Sequence, residues 1–371
     1  MTRSTQTLLL LSALSLPLAA CGSPARSTQT ADNAAGNAAE DEEEDNDSYI
    51  DEEELEDDDD DAGFVDSTLL QTASAPMELA EAQLVPGTGV TLRPPEGSRA
   101  MPFGAGFLAM RQRVQLSVVV AEGGPEIVET MRTGGAPGAP EPEGVSEIEV
   151  SGATGRLGRD RVQSQAGALE RYWLFVHDGD RGMGVIATYE GSRAPAVRAG
   201  VREVLESVTW DREAELDAAA ALGIEIGEVE GLARARRSTA NLVLVQPDAP
   251  FPPEAGQPVI TLSPLPMQIP AAQRSAACEQ LIARFVPAAE DAIILDRTIE
   301  EEGGTLPGCE RLATAEAEGE TSVLVYAALL FNGPLPIMVT ASAEADAVDT
   351  WRPRFTGAAR SVRMAEGAAV P

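Results

Sequence analysis

Between residues 76 and 371, apolar runs recur twice in the same order, and the spacing within each run predicts its element. Tyr172-Trp-Leu-Phe-Val and Val323-Leu-Val-Tyr-Ala-Ala-Leu-Leu are apolar at every position, as strands covered on both faces are. Each opens a hairpin: Arg171 to His177 with Met183 to Tyr189, and Ser322 to Leu330 with Ile337 to Ser342. Asp178-Gly179 and Asn332-Gly333 lie between the partners, and both dipeptides favour the positive φ that the centre of a tight turn requires. A helical stripe follows each hairpin. Val197, Val201, Val204, Leu205 and Val208 form the first, with Arg193, Arg198, Arg202 and Glu206 largely outside it and Pro195 in the first turn. Trp351, Phe355, Ala358 and Val362 form the second, with Pro353 placed in the opening turn. Shorter helices are predicted upstream, Pro125 to Arg132 stopped by Gly134 and Pro270 to Phe285 stopped by Pro287.

The order strand, hairpin, helix, strand, hairpin, helix defines an α+β class, two tandem domains each with helices packed on a mostly antiparallel sheet. Sequence echoes support a repeat. Gly89-Val-Thr-Leu with Glu96-Gly97 matches Gly223-Ile-Glu-Ile with Glu230-Gly231 at an offset of 134, while Asp178-Gly179 with Asn332-Gly333 and Ser207-Val208 with Ser361-Val362 match at 154. Gly155-Arg-Leu aligns approximately with Gly308-Cys-Glu-Arg-Leu. The second copy therefore holds some 20 more residues, part of them expected in Pro247 to Pro258. The expected boundaries are 1–20 for a leader, 21–75 for a tether, 76–213 for the first domain and 214–371 for the second. The glycine-flanked turns, the C-terminal helices and their S-V-T-W and S-V-R-M endings resemble the PsbP/DcrB-like fold as a tandem pair. That resemblance implies a non-enzymatic envelope protein and transfers no catalytic residue.

Ahead of the repeats, Arg3, the apolar stretch Leu8 to Leu18 and the string Leu18-Ala-Ala-Cys21 resemble the signal sequence and lipobox of bacterial lipoproteins. The resemblance implies cleavage before Cys21 and acylation of that cysteine, which anchors the chain to a membrane without a spanning helix. Gly22 at the second mature position, rather than aspartate, implies the outer membrane, facing the periplasm. Residues 22–75 have the composition of a disordered tether, and Glu40 to Asp61 holds 17 of the chain's acidic residues, against a net charge of −33 overall. That block reads as a self-repelling spacer or as a segment that binds divalent cations or a basic protein. It lacks the glycine and terminal glutamate of an EF-hand. So acidic a chain repels phosphates, and no nucleic-acid partner is expected.

Composition then removes reaction classes. There is no lysine, and His177 is the only histidine, so Walker, Schiff-base and S-x-x-K chemistries and histidine-built zinc sites are excluded. No cofactor and no metal are expected. His177 with Asp178 and Asp180 is the one cluster suited to acid–base work, as in a hydrolase; the alternative is a strand end and its turn. Arg234 and Arg236 fall on one face of a strand over Leu232 to Arg237, to bind an anionic group or the acidic tether, or simply to charge an edge. Cys278 and Cys309 remain after Cys21; in an exported protein a disulfide is the default pairing, against two buried thiols or a redox pair. The function expected is a non-catalytic binding or assembly adaptor with an envelope protein partner. The alternatives are a working acidic block and a hydrolase using His177.

Overall fold

The computed structural model describes residues 77–365 apart from 103, 134–140, 165–166, 255, 266, 302 and 317–321. The leader, Cys21, the acidic tether and the stop at Gly134 lie outside the described residues.

The first repeat runs β1 (Gln83–Leu84), β2 (Val90–Leu92), β3 (Arg99–Ala100), β4 (Gly106–Ala109), β5 (Val114–Glu122), α1 (Glu126–Thr133), β6 (Glu143–Val150), β7 (Ala153–Ser164), β8 (Gly167–Asp178), β9 (Arg181–Glu190), α2 (Ala194–Glu206) and β10 (Thr209–Trp210). The second runs α3 (Ala218–Leu222), β11 (Ile224–Glu225), β12 (Ala233–Ala235), β13 (Leu242–Val245), β14 (Val259–Pro264), α4 (Arg274–Phe285), β15 (Ile293–Ile299), β16 (Gly308–Glu316), β17 (Ser322–Asn332), β18 (Leu335–Glu344), α5 (Val348–Ser361) and β19 (Arg363–Met364). Each builds a seven-stranded antiparallel sheet, ordered β3-β4-β5-β9-β8-β7-β6 in one and β12-β13-β14-β18-β17-β16-β15 in the other. The orders are identical position for position. The repeat extends to single pairs: Val90 faces Trp210 in β2–β10, and Ile224 faces Met364 in β11–β19, at the offsets of 134 and 154 read from the sequence.

Alternation along the central strands decides the layering. Tyr172, Leu174 and Val176 of β8 join Val197, Val201, Val204 and Leu205 of α2 in one core. Trp173 and Phe175 point the other way, to Met131 of α1. In the second repeat Leu324, Tyr326, Ala328 and Leu330 meet Trp351, Phe355 and Ala358 of α5, and Ala327, Leu329 and Phe331 meet Ile282 of α4. Helices cover both faces of each sheet, which is why these strands are apolar throughout. Each fully buried Val, Leu or Phe contributes about 1.5–3 kcal/mol, so the hairpins and C-terminal helices carry most of the core.

Three local expectations are corrected. The loops of the two long hairpins are Gly179-Asp180 and Gly333-Pro334, because Asp178 and Asn332 already pair with Arg181 and Leu335. The proline ring holds φ near −65°, so glycine alone supplies the positive φ, at the first loop position. Pro353 lies in the second turn of α5 rather than the first. The ring leaves the carbonyl of Asp349 without its helical donor, and burial of Trp351 and Phe355 holds the helix. The strand expected over Leu232 to Arg237 stops at Ala235, because the chain then leaves β13 for the first repeat.

That departure joins the two repeats. Beyond Ala105, β5 has no β4 neighbour, and Arg237–Thr239 fills the gap: Glu122 N donates to Arg237 O at 2.7 Å, Thr239 N to Val120 O at 2.9 Å, and Val120 N to Thr239 Oγ1 at 3.0 Å. Sheet register places Pro264 where the first repeat has Val120, since Val120 faces Met183 and Pro264 faces Ile337. The expected boundary at 213/214 falls inside the connection 211–217, which lies against the turn Gly87-Thr88-Gly89: Asp211 N donates to Gly89 O at 2.9 Å and Asp217 N to Gly87 O at 3.0 Å. The extra residues of the second copy are partly in the β13–β14 connection, 246–258, against 110–113 for β4–β5.

Cys278 of α4 and Cys309 of β16 form a disulfide that closes a separation of 31 residues. Replacing both by serine is expected to lower stability by about 3–4 kcal/mol, read as a shift of the urea midpoint. Gly89 has φ +70°, and a Cβ there would stand 2.6 Å from Asp211 O. Gly89→Ala is expected to cost about 1–3 kcal/mol by the same measurement, with Gly97→Ala as the comparison that shares the positive φ (+73°) but meets nothing within 4 Å.

Candidate functional site

The candidate acid–base residues lie at the end of the β8–β9 hairpin, beside the joint between the repeats. His177 Nε2 is 3.3 Å from Gly123 O, its only hydrogen-bond partner among the described residues. Asp178 pairs with Arg212 of the connection. Arg181 Nη1 donates to Arg212 O at 2.7 Å and Ala214 O at 2.9 Å, and Arg181 stands 3.9 Å from Glu122. Glu122 also pairs with Arg237 at 3.0 Å. Asp180 is exposed, and its carbonyl accepts from Gly123 N at 2.7 Å. No hydroxyl or thiol among the described residues bonds His177, so the triad geometry of a hydrolase is not assembled there.

Arg234 and Arg236 meet carboxylates of the connection: Arg234 is 3.9 Å from Asp217, and Arg236 pairs with Glu215. The structure thus gathers His177, Asp178, Arg234 and Arg236 along one seam and supplies each charged member with a partner from the chain itself. Cys278 and Cys309 stand apart, on the α4 side of the second sheet. Cys21 lies outside the described residues.

The buried carboxylates Glu170, Glu310 and Asp160 are ones the sequence did not flag. Glu170 is 2% exposed on β8; it accepts from Tyr189 Oη at 2.6 Å and takes Arg198 of α2 in a two-pronged contact at 2.8 and 2.7 Å. Burial pushes its carboxyl up, and the bonds from Arg198 and Tyr189 more than offset that, leaving it below the ordinary glutamate value of 4.5. The same burial and the facing carboxylate push the Tyr189 hydroxyl well above the usual tyrosine range. Glu310 of β16, fully buried, accepts from Tyr326 Oη at 2.7 Å, Arg297 Nε at 2.7 Å and Arg360 of α5 at 2.8 Å. Asp160 of β7 is gripped by Arg171 at 2.6 and 2.8 Å. The visible signal is a carboxylate placed on the same face as strand apolar residues, as Glu170 is with Tyr172. These groups have their partners already, and such closed networks hold elements together rather than await a substrate.

An open cleft of about 510 Å³ lies between the first small sheet and the connection, lined by Leu84, Thr88, Ser151, Trp210, Asp211 and Glu215, among others. Among the described residues, no three His, Cys, Asp or Glu side chains gather so as to hold a metal ion, and no helix is long and apolar enough to cross a membrane.

No family model matches the chain, and no curated protein matches it. Among solved structures, the cyanobacterial PsbP protein (CyanoP) of Synechocystis sp. PCC 6803 is similar at 13% identity and a TM-score of 0.27, over 33% of this chain and 87% of that one. The immunity protein TplEi of the T6SS of Pseudomonas aeruginosa is similar both in complex with "L" peptide (10% identity, TM-score 0.30, 77% of this chain, 98% of that one) and in its apo form (11%, 0.30, 77% and 97%).

Glu170 yields a signed pH prediction. A carboxyl whose value is lower in the folded than in the unfolded chain adds stability above the unfolded value and loses it as pH falls through the folded one. The urea midpoint is therefore expected to drop as pH falls below about 4.5, the ordinary glutamate value. Glu170→Gln is expected to cost about 2 kcal/mol at pH 7 and to flatten that drop.

Proposed function

We propose that the chain is a non-catalytic, lipid-anchored adaptor of the bacterial envelope, carrying two PsbP/DcrB-like modules on an acidic tether. The observation that carries the reading is the seam: Asp178 and Arg181, which flank the only acid–base candidate, are spent on the connection 211–217 that leads from one repeat to the next. The repeated strand order supports the tandem-module assignment. Leu18-Ala-Ala-Cys21 supports acylation at Cys21 and, with Gly22, an outer-membrane address facing the periplasm. The carboxylate-rich block Glu40 to Asp61 lies in sequence between Cys21 and the modules, where a spacer is expected. Two joined modules present a partner with two surfaces at fixed separation, so binding one raises the effective concentration of the other.

Intact-mass analysis is expected to show an acylated mature chain beginning at Cys21, and Cys21→Ser to lose the added mass and the membrane fraction. Photo-crosslinking in intact cells is expected to capture one reproducible envelope protein through residues 76–371, with and without Glu40 to Asp61. Loss of capture in the deletion reassigns the working surface to the acidic block. His177→Ala is expected to complement a deletion strain fully; failure with normal folding favours the hydrolase reading.

A further inference from the structure

The stretch between Glu96 and Glu122 contains no aspartate or glutamate, in a chain with 60 of them, and it contains Arg99, Arg111 and Arg113. It folds into β3, β4 and β5. All three arginines are exposed. Arg99 faces Leu108 across β3–β4, two residues before Met110, where the β4–β5 turn begins. Met110, 68% exposed, is the most exposed large hydrophobic side chain among the described residues. Arg113 pairs with Glu190 at 3.1 Å, both on the surface, whereas Arg99 and Arg111 meet no carboxylate among the described residues.

A single exposed apolar side chain is ordinary. Its setting is not. Arg113 N donates to Met110 O at 3.3 Å to close the turn, and Arg113 holds φ +55°, a left-handed value that glycine adopts without strain. An arginine kept there presents charge next to the thioether at a backbone cost. The second repeat is built differently, since its β13–β14 connection carries Asp248 and Glu254. The first repeat is also the one that continues from the tether: Met77 lies against Gly200 of α2, where a Cβ would stand 2.4 Å from the Met77 Cβ.

An apolar side chain among arginines suits the bilayer interface, where the apolar group enters the headgroup boundary and the cations meet phosphates. The chain's own acidic block would satisfy the arginines but leave Met110 in water. A bilayer of anionic phospholipid offers both contacts. We propose that Met110 to Arg113, with Arg99, is a second membrane contact by which the first module rests on such a surface. The proposal rests on the lipid-anchored reading, which brings the module within a tether's length of a bilayer and raises its local concentration there. A contact at this tip orients the module, which an anchor at Cys21 by itself does not.

The test uses the full mature chain with Cys21→Ser and an N-terminal hexahistidine, held on vesicles by nickel-chelating lipid, so that the result does not depend on acylation. Oxidation of each methionine by hydrogen peroxide is followed by mass spectrometry. On vesicles with about 30% phosphatidylglycerol, Met110 is expected to oxidise about fivefold more slowly than on phosphatidylcholine alone. The partly buried Met267 and Met364 are expected to be unchanged. Added salt, or Arg99→Gln with Arg111→Gln, is expected to restore the rate; the lipid comparison makes the same point without altering the arginines. Equal Met110 rates on both vesicles, or slowing shared by Met267 and Met364, overturns the proposal. Protection of Met110 without vesicles that is lost on deleting Glu40 to Asp61 also overturns it, in favour of the tether as occupant. The anchor reading is decided separately, by the intact mass of the native chain.

Discussion

Backbone hydrogen bonds between Val120–Glu122 and Arg237–Thr239 turn two repeats into one body. The surrounding ion pairs are partly exposed, and pairs of that kind contribute little each. The bonds to Thr239 are of another kind, because Thr239 is 1% exposed and its amide and hydroxyl have no water to return to. The β12–β13 loop lengthens to reach β5, the connection 211–217 is pressed onto Gly87 and Gly89, and Arg181 caps two carbonyls of that connection. The hairpin end that carries His177 is part of this joint, and its chemistry is subordinate to it.

Within each repeat the second constraint is charge inside a sheet covered on both faces. A buried carboxylate is tolerable only when every lone pair it turns inward finds a donor. Both repeats meet that demand with a strand tyrosine and an arginine from the C-terminal helix, yet from different places: Glu170 is on β8 and Glu310 on β16. The helix is thereby fixed to its sheet by geometry as well as by apolar contact, since a guanidinium fork accepts few orientations.

The central hairpins, the C-terminal helices and the repeat itself were legible because their periods are undiluted: β17 has no polar residue between Val323 and Phe331. The disulfide was the default pairing of the two cysteines left after Cys21, given the export expected from the lipobox resemblance. β6 and β7 were not legible, because Glu147, Glu149, Arg156, Arg159 and Arg161 alternate with too few apolar residues to mark a face; opposite charges face each other only at Glu143–Arg159 and Glu147–Arg156. The joint was hidden for a related reason: Arg236 and Arg237 read as the end of a strand paired within their own repeat, and only the vacancy beside β5 draws Arg237–Thr239 into an isolated bridge with the other repeat. Arg234 and Arg236 were found as cations, but their anions lie some twenty residues back in the sequence, where no local pattern links them.

Duplication of a module that docks by its edge has a built-in hazard, because the last copy always offers the edge that the first has filled. Growth by further duplication, or by stacking of chains, begins there. At that position the second copy carries Pro264 in place of Val120. There the second copy has no amide proton to give the bond that Val120 gives the Thr239 hydroxyl, so the same joint cannot be copied bond for bond.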